Sequence, residues 1–315
     1  MIVIDLKTGL RTELNNDMSL SCAVGNFDGV HKGHLALLQK AAEKNGCTHS
    51  AVWTFATHPR VCMGDRNFSA LTTTEQKLGL FAEAGIELAI LEDFPAVKDM
   101  SPEDFAADLL YGKCRVRTAV CGYNFRFGKN AAGTPALLSK EFSKRGANVI
   151  TVDAVKTAEG EIISSSAIRA LIEDGNIEKA NEMLGREFAV SLPISEGHKL
   201  GRTLGLPTIN QVFPAGYVIP RHGVYAAKCN IKGKEYIAVA NIGVRPTVIE
   251  NTENINCESH IIDFSGDLYG ETVSVRLYHF LRDEKKFSSI DELKSAINAD
   301  VLKTEELFFS KGYNQ

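Results

Sequence analysis

The sequence holds no pair of cysteines at redox or metal-ligand spacing. Its seven cysteines are scattered, with no CxxC among them. An odd, dispersed set argues against a disulfide framework or a zinc site, and for reduced thiols in a cytoplasmic protein. No long basic run is present, so the chain carries no electrostatic footprint for nucleic acid. No apolar stretch approaches the ~20 residues that a membrane helix needs. Residues 1–16 carry charges throughout and lack an apolar core, so no export signal is read there. Internal repeats and low-complexity linkers are also absent.

What is there divides in two. At roughly 150 residues per domain, a chain of 315 residues predicts two domains. Hydrophobic residues make up 44% and charged residues 23%, with a formal net charge of -4, so each half can bury a core. In the first 185 residues, apolar strand-like runs alternate with helical patterns. The strands are read at 20–24, 50–55, 87–91, 118–121 and 148–152. The helices are read at 35–43, 74–84, 102–110, 135–144 and 166–173. That alternation predicts an α/β fold with a parallel sheet covered on both faces. Ligands of such sheets lie beyond the carboxyl ends of the strands. From residue 188 to 281 the chain is rich in Val, Ile, Tyr and Thr, broken by Gly, Pro and Asn. This predicts a small all-β barrel or sandwich, closed by a C-terminal helix over residues 290–308. The boundary is placed between residues 185 and 186, giving domains 1–185 and 186–315.

The most informative segment is GNFDGVHKGH, residues 25–34, between the first strand and the first helix. Its glycines allow tight turns and close backbone approach to a ligand. A helix N-terminus offers N–H groups and partial positive charge to a phosphate. His31 and His34, three apart, share one face of that turn and can donate to phosphate oxygens. The final Lys-Ser/Thr of a Walker A loop is missing, and so is GxGxxG. Taken alone, HxGH also fits a glycine-rich turn with two surface histidines. Two later segments accompany it: GYNFRFG at 122–128 and ISSSAIR at 163–169. The HxGH element resembles the signature of the nucleotidyltransferase superfamily. The three segments together resemble the adenylyltransferase module of bacterial bifunctional riboflavin kinase/FAD synthetases, a Rossmann-like fold, over residues 15–185. That resemblance implies an ATP site formed by Gly25, Phe27, Asp28, His31, His34, Asn124, Ser164 and Arg169, with His31 and His34 catalytic.

A second cluster begins at GHKLGRTLGLPTIN, residues 197–210. In an extended segment Thr208 and Asn210 share a face and offer neutral oxygens, which suit a hard cation such as Mg²⁺. PTIN alone equally fits a turn with an Asx-type hydrogen bond. NIGVRPT at 241–247, ESHIIDF at 258–264 and DLYG at 267–270 follow in order. This series resembles the riboflavin kinase module over about residues 187–310. It implies Glu258 as the catalytic base, Thr208 and Asn210 as Mg²⁺ ligands, and Gly201, Arg202, Gly205 and Thr208 at the nucleotide phosphates. The chain departs from the family's usual residues at Tyr123, Ser166, Leu192, Ile209 and Val248. None of these removes a phosphate, metal or base group.

The resemblance as a whole implies a cytoplasmic enzyme of two activities, riboflavin to FMN and FMN to FAD. Its ligands are riboflavin, FMN, FAD and ATP with Mg²⁺, without nucleic acid or membrane, in a monomer or weak homo-oligomer. Two alternatives stand beside it. One is a riboflavin kinase whose first domain acts on another substrate. The other is a flavin-sensing regulator without turnover, against which the intact histidines and Glu258 argue.

Overall fold

The structure is a computed structural model and describes residues 1–7, 14–15, 17–195, 206–245 and 254–310. The chain divides into two compact units, Met1–Ser165 and Ser166–Gln315.

The first unit is built on a six-stranded parallel sheet of order β1-β4-β3-β2-β5-β6 among the described residues. The strands are β1 (Ile2–Asp5), β2 (Leu20–Val24), β3 (His49–Phe55), β4 (Leu88–Glu92), β5 (Val116–Gly122) and β6 (Asn148–Val152). Every residue of β2 and β4 is buried, as a parallel sheet covered on both faces requires. Alternate residues feed two cores. Cys22, Val24 and Trp53 pack with Phe105, Phe127 and Phe142 on one face. Ala23 and Val52 pack with Phe27, Leu38 and Phe81 on the other. Five strands lie where the apolar runs placed them. The edge strand β1 escaped that reading, since Ile4 is its one buried residue.

The helices are α1 (Lys32–Ala42), α2 (Pro59–Cys62), α3 (Thr74–Glu83), α4 (Phe94–Val97), α5 (Pro102–Asp104) and α6 (Pro135–Ser143). Ser101 caps α5 through its hydroxyl, which accepts from the Asp104 N–H at 3.0 Å. Where one helix was predicted over 102–110, α5 passes into a π-helix, Phe105–Lys113. Phe105, Ala106, Leu109 and Leu110 are all buried in it, against the sheet. α3 begins on a capping box, with Thr73 and Gln76 each bonded to the other's backbone.

The second unit contains a closed antiparallel barrel of order β10-β11-β8-β7-β12-β9. Its strands are β7 (Phe188–Ser195), β8 (Thr208–Val212), β9 (Gly223–Ile231), β10 (Lys234–Arg245), β11 (Asn254–Ile261) and β12 (Thr272–Arg282). The C-terminal helix, α9 (Ile290–Ser310), lays the fully buried Phe308 edge-on against Tyr278. Asp300 fixes the same helix to β12 by accepting from Arg282 Nε at 3.0 Å and Nη2 at 2.8 Å. Asp300→Ala leaves a half-buried guanidinium without its carboxylate. A loss of about 2 kcal/mol is expected in urea unfolding, with unchanged stability as the contrary result.

Helices α7 (Ser165–Asp174) and α8 (Ile177–Leu184) precede the barrel. Beyond Ser165 both helices belong to the same compact unit as the barrel, since the units divide at 165/166. The physical reason lies in their partners. Asn181 of α8 donates to Leu277 O at 2.8 Å and accepts from the Phe188 N–H at 2.7 Å. Glu178 pairs with His279 of β12, and Ile172 O of α7 accepts from the Arg221 N–H.

Candidate active sites

The first site forms where β2 ends. Three of four successive residues turn the chain with positive φ: Phe27 at 53°, Gly29 at 80° and Val30 at 40°. A Cβ on Gly29 would stand 2.6 Å from Leu71 Cδ1 in addition to that φ, so only glycine fits there. The loop is tied down on every side. Leu71 N–H donates to Asp28 Oδ1 at 2.9 Å, and Gly29 N–H to Thr72 Oγ1 at 3.2 Å. Ser165 Oγ donates to Asp28 O at 2.8 Å, so the hydroxyl-rich segment closes onto the glycine-rich one. The Gly25 N–H donates to Trp53 O at 3.2 Å.

His31 is the N-cap of α1. Its Nδ1 accepts from the His34 N–H at 3.3 Å, which places the proton of the neutral ring on Nε2. The two imidazoles stack, with centroids 3.7 Å apart and planes 17° from parallel. Gly33 makes room for this, since a Cβ there would meet the His31 ring at 3.1 Å. The ring of Phe27, wholly buried, supports His34 edge-on at 5.2 Å. Thus Phe27 and Asp28 shape the loop, with His31 buried at its end and His34 half-buried beside it. Asn124 is exposed at the turn after β5, the strand that pairs with β2. Ser164 is half-buried beside Ser165, and Arg169 lies one turn further along α7.

Next to this loop, at the carboxyl ends of β2 and β3, lies a pocket of about 190 Å³. Asn26, Asp28, Thr57, His58, Val61, the run Thr72 to Thr74 and Lys77 line it. Burial pulls the Lys77 ammonium down to about 8, against the opposing charge of Asp28. Sequence reasoning missed Lys77, whereas Ser165 falls within the hydroxyl-rich segment 163–169 already singled out.

The second site lies on the wall of the barrel. Glu258 of β11 stands opposite Asn210 of β8 on one side and Asn241 of β10 on the other. Thr208 Oγ1 donates to Glu258 Oε1 at 2.7 Å. Asn210 Oδ1 accepts from Asn256 Nδ2 at 2.9 Å. Asn241 Nδ2 donates to Glu284 Oε1 at 3.1 Å. A Cβ on Gly243 would collide with that carboxylate at 1.9 Å, so its glycine gives Glu284 passage across β10. The intervening residues Gln211, Cys257 and Ser259 are fully buried. Burial lifts the Cys257 thiol to about 12, so it is no nucleophile. His260 bonds Pro207 O through Nδ1 at 3.0 Å, which holds the entry to β8. Thr208, Asn210 and Glu258 are therefore brought together. Asn241, which opens the NIGVRPT motif, joins them, as do Asn256 and Glu284, which were not singled out in the sequence. Gly201, Arg202, Gly205 and Val248 lie outside the described residues.

Known proteins match both units. A family model for FAD synthetase matches residues 14–167, and one for riboflavin kinase matches residues 184–308. The bifunctional riboflavin kinase/FMN adenylyltransferase of Escherichia coli K12 is 36% identical, over 90% of this chain and 91% of its own. The Listeria monocytogenes protein of the same name is 31% identical over 98% of each chain. A solved Streptococcus pneumoniae structure described as a macrolide-efflux protein is 30% identical and covers 97% of this chain and 99% of its own, with a TM-score of 0.84. Among the described residues, no helix is long and apolar enough to cross a membrane. With two domain models in order and relatives aligned nearly end to end, the chain belongs to the bifunctional riboflavin kinase/FMN adenylyltransferase family.

Proposed function

We propose that the barrel phosphorylates riboflavin to FMN and that the parallel-sheet unit adenylylates FMN to FAD, each with its own ATP. The observation that carries this is the presence of two chemically unlike sites in separate units. One is a stacked histidine pair on a helix start; the other is a carboxylate on a barrel wall.

In the barrel, the nucleophile is the neutral 5′-hydroxyl of the ribityl chain, and a base is needed. Glu258 takes that proton as the oxygen attacks the γ-phosphorus of ATP. Thr208 commits its proton to Glu258, which leaves its oxygen lone pairs for a cation. Asn210 Oδ1 keeps a second lone pair beside the one that Asn256 fills. These neutral oxygens fit Mg²⁺, which would neutralise charge on the triphosphate. Gly201, Arg202 and Gly205 complete the phosphate seat on this reading.

In the parallel-sheet unit, the FMN phosphate is already an anion, so no strong base is required. It attacks the α-phosphorus and pyrophosphate leaves. Catalysis then rests on positioning and on positive potential at the triphosphate. The His31 Nε2 proton, His34 and the first turn of α1 supply that potential. Gly25, Phe27 and Asp28 hold the loop in shape, and Asn124 and Ser164 complete the ATP seat within this unit. The pocket beside α3 takes the acceptor, FMN. The seven cysteines are all free thiols, which suits the reducing cytoplasm.

The test is incubation with riboflavin, ATP and Mg²⁺, followed by chromatography. FMN should appear first and FAD after it. FMN that never proceeds to FAD removes the adenylyl-transfer assignment from the first unit.

A further inference from the structure

Lys77 sits in the wall of the acceptor pocket and is 8% exposed. Its ammonium donates to Phe55 O at 2.9 Å and to Thr54 Oγ1 at 3.4 Å. Thr54 Oγ1 donates in turn to Asn26 O at 3.1 Å. A chain of bonds thus runs from α3 across the end of β3 to the glycine-rich loop. Thr74, one turn earlier on α3, grips the same end of β3 through Ala56 O at 2.8 Å.

The fold does not favour this ammonium. Its pKa stands at about 8 in the folded chain against 10.5 for an ordinary lysine. The penalty is fully present below pH 8 and fades as the pH rises towards 10.5. A buried amine that costs stability at neutral pH, placed beside Asn26 and Asp28, has a use other than holding the fold.

We propose that Lys77 is a positioning residue for adenylyl transfer: through Thr54 it sets the place of Asn26 in the glycine-rich loop, and so where the FMN phosphate meets the α-phosphorus of ATP. The proposal rests on the reading of this pocket as the acceptor site.

The test uses the full chain with FMN, ATP and Mg²⁺. Lys77→Met should raise the KM for FMN about tenfold or more while the KM for ATP moves less than about twofold. Lys77→Arg, which keeps the charge, should recover most of the loss. The charged and titratable groups that line the pocket with Lys77 are Asp28, from the glycine-rich loop, and His58, at the start of α2. Both remain in every variant. Wild-type kcat/KM for FMN should fall above pH 8 as the ammonium loses its proton, and Lys77→Arg should lack that fall. The melting temperature of Lys77→Met at pH 7 should be equal to or above that of the wild type. An unchanged FMN KM in Lys77→Met overturns the proposal. So does a lowered melting temperature with equal loss in the Met and Arg variants, which is what a structural lysine gives. Val61→Trp fills the same pocket and separates the two claims. An unchanged FMN KM in that variant sinks the acceptor-site reading itself, whereas an unchanged KM in Lys77→Met alone sinks the role of the lysine.

Discussion

With alanine at position 258, FMN formation from riboflavin is expected to fall by about two to four orders of magnitude, the usual share of a positioned general base. FAD formation from supplied FMN should continue at the wild-type rate, because Glu258 belongs to the barrel and not to the parallel-sheet unit. Alanine also leaves the Thr208 hydroxyl without its acceptor at 2.7 Å. Glu258→Gln answers that objection, since an amide oxygen still accepts from Thr208 but does not take up a proton at working pH. Equal losses in the Ala and Gln variants assign the effect to proton acceptance. Activity retained within tenfold in Glu258→Gln means that the base is elsewhere. Loss of both activities in either variant would contradict independent sites.

His31→Ala should produce the opposite imbalance. FMN accumulates, and adenylyl transfer falls by about 10²–10³-fold, as when one donor to developing charge is removed. Part of that loss has another origin. His31 caps α1 through Nδ1, and losing an N-cap costs about 1 kcal/mol of helix stability. Its ring also covers that of His34 at 3.7 Å. His31→Asn separates the contributions, since asparagine caps a helix well but lacks the reach of the imidazole. A rate close to wild type in His31→Asn would reduce His31 to a cap. A rate as low as that of the alanine variant places its Nε2 side at the triphosphate.

Much of this architecture is written locally. The buried strands β2 to β5 are short apolar runs between turn residues, and a parallel sheet covered on both sides needs no other pattern. The division between units was less legible. Periodicity shows that α7 and α8 have apolar faces, but not which neighbour covers them. The partners that decide it, Leu277, His279 and Arg221, lie dozens of residues further on. The sites follow the same rule. Thr208, Asn210 and Glu258 stand inside dense motifs. Glu284 sits in a charged run, Arg282-Asp283-Glu284-Lys285-Lys286, that reads as a solvated turn. Its one signal is indirect, in Gly243, whose missing side chain is the space that the carboxylate occupies. Lys77 reads as an ordinary helix lysine until the fold places its amine over the end of β3.

The pairing of β8 with β11 gives the barrel site something like a reading frame. Glu258 meets Asn210 on one face of the strand pair, while Cys257 and Ser259, fully buried, turn to the other. Side chains alternate with a period of two, so a single-residue deletion within β11 would carry the carboxylate into the apolar interior and bring a thiol or hydroxyl out in its place. Deleting two residues would restore the alternation and shift the carboxylate by one pleat. Within this strand, length should therefore drift only by even steps, while the chemistry it carries tolerates no odd one.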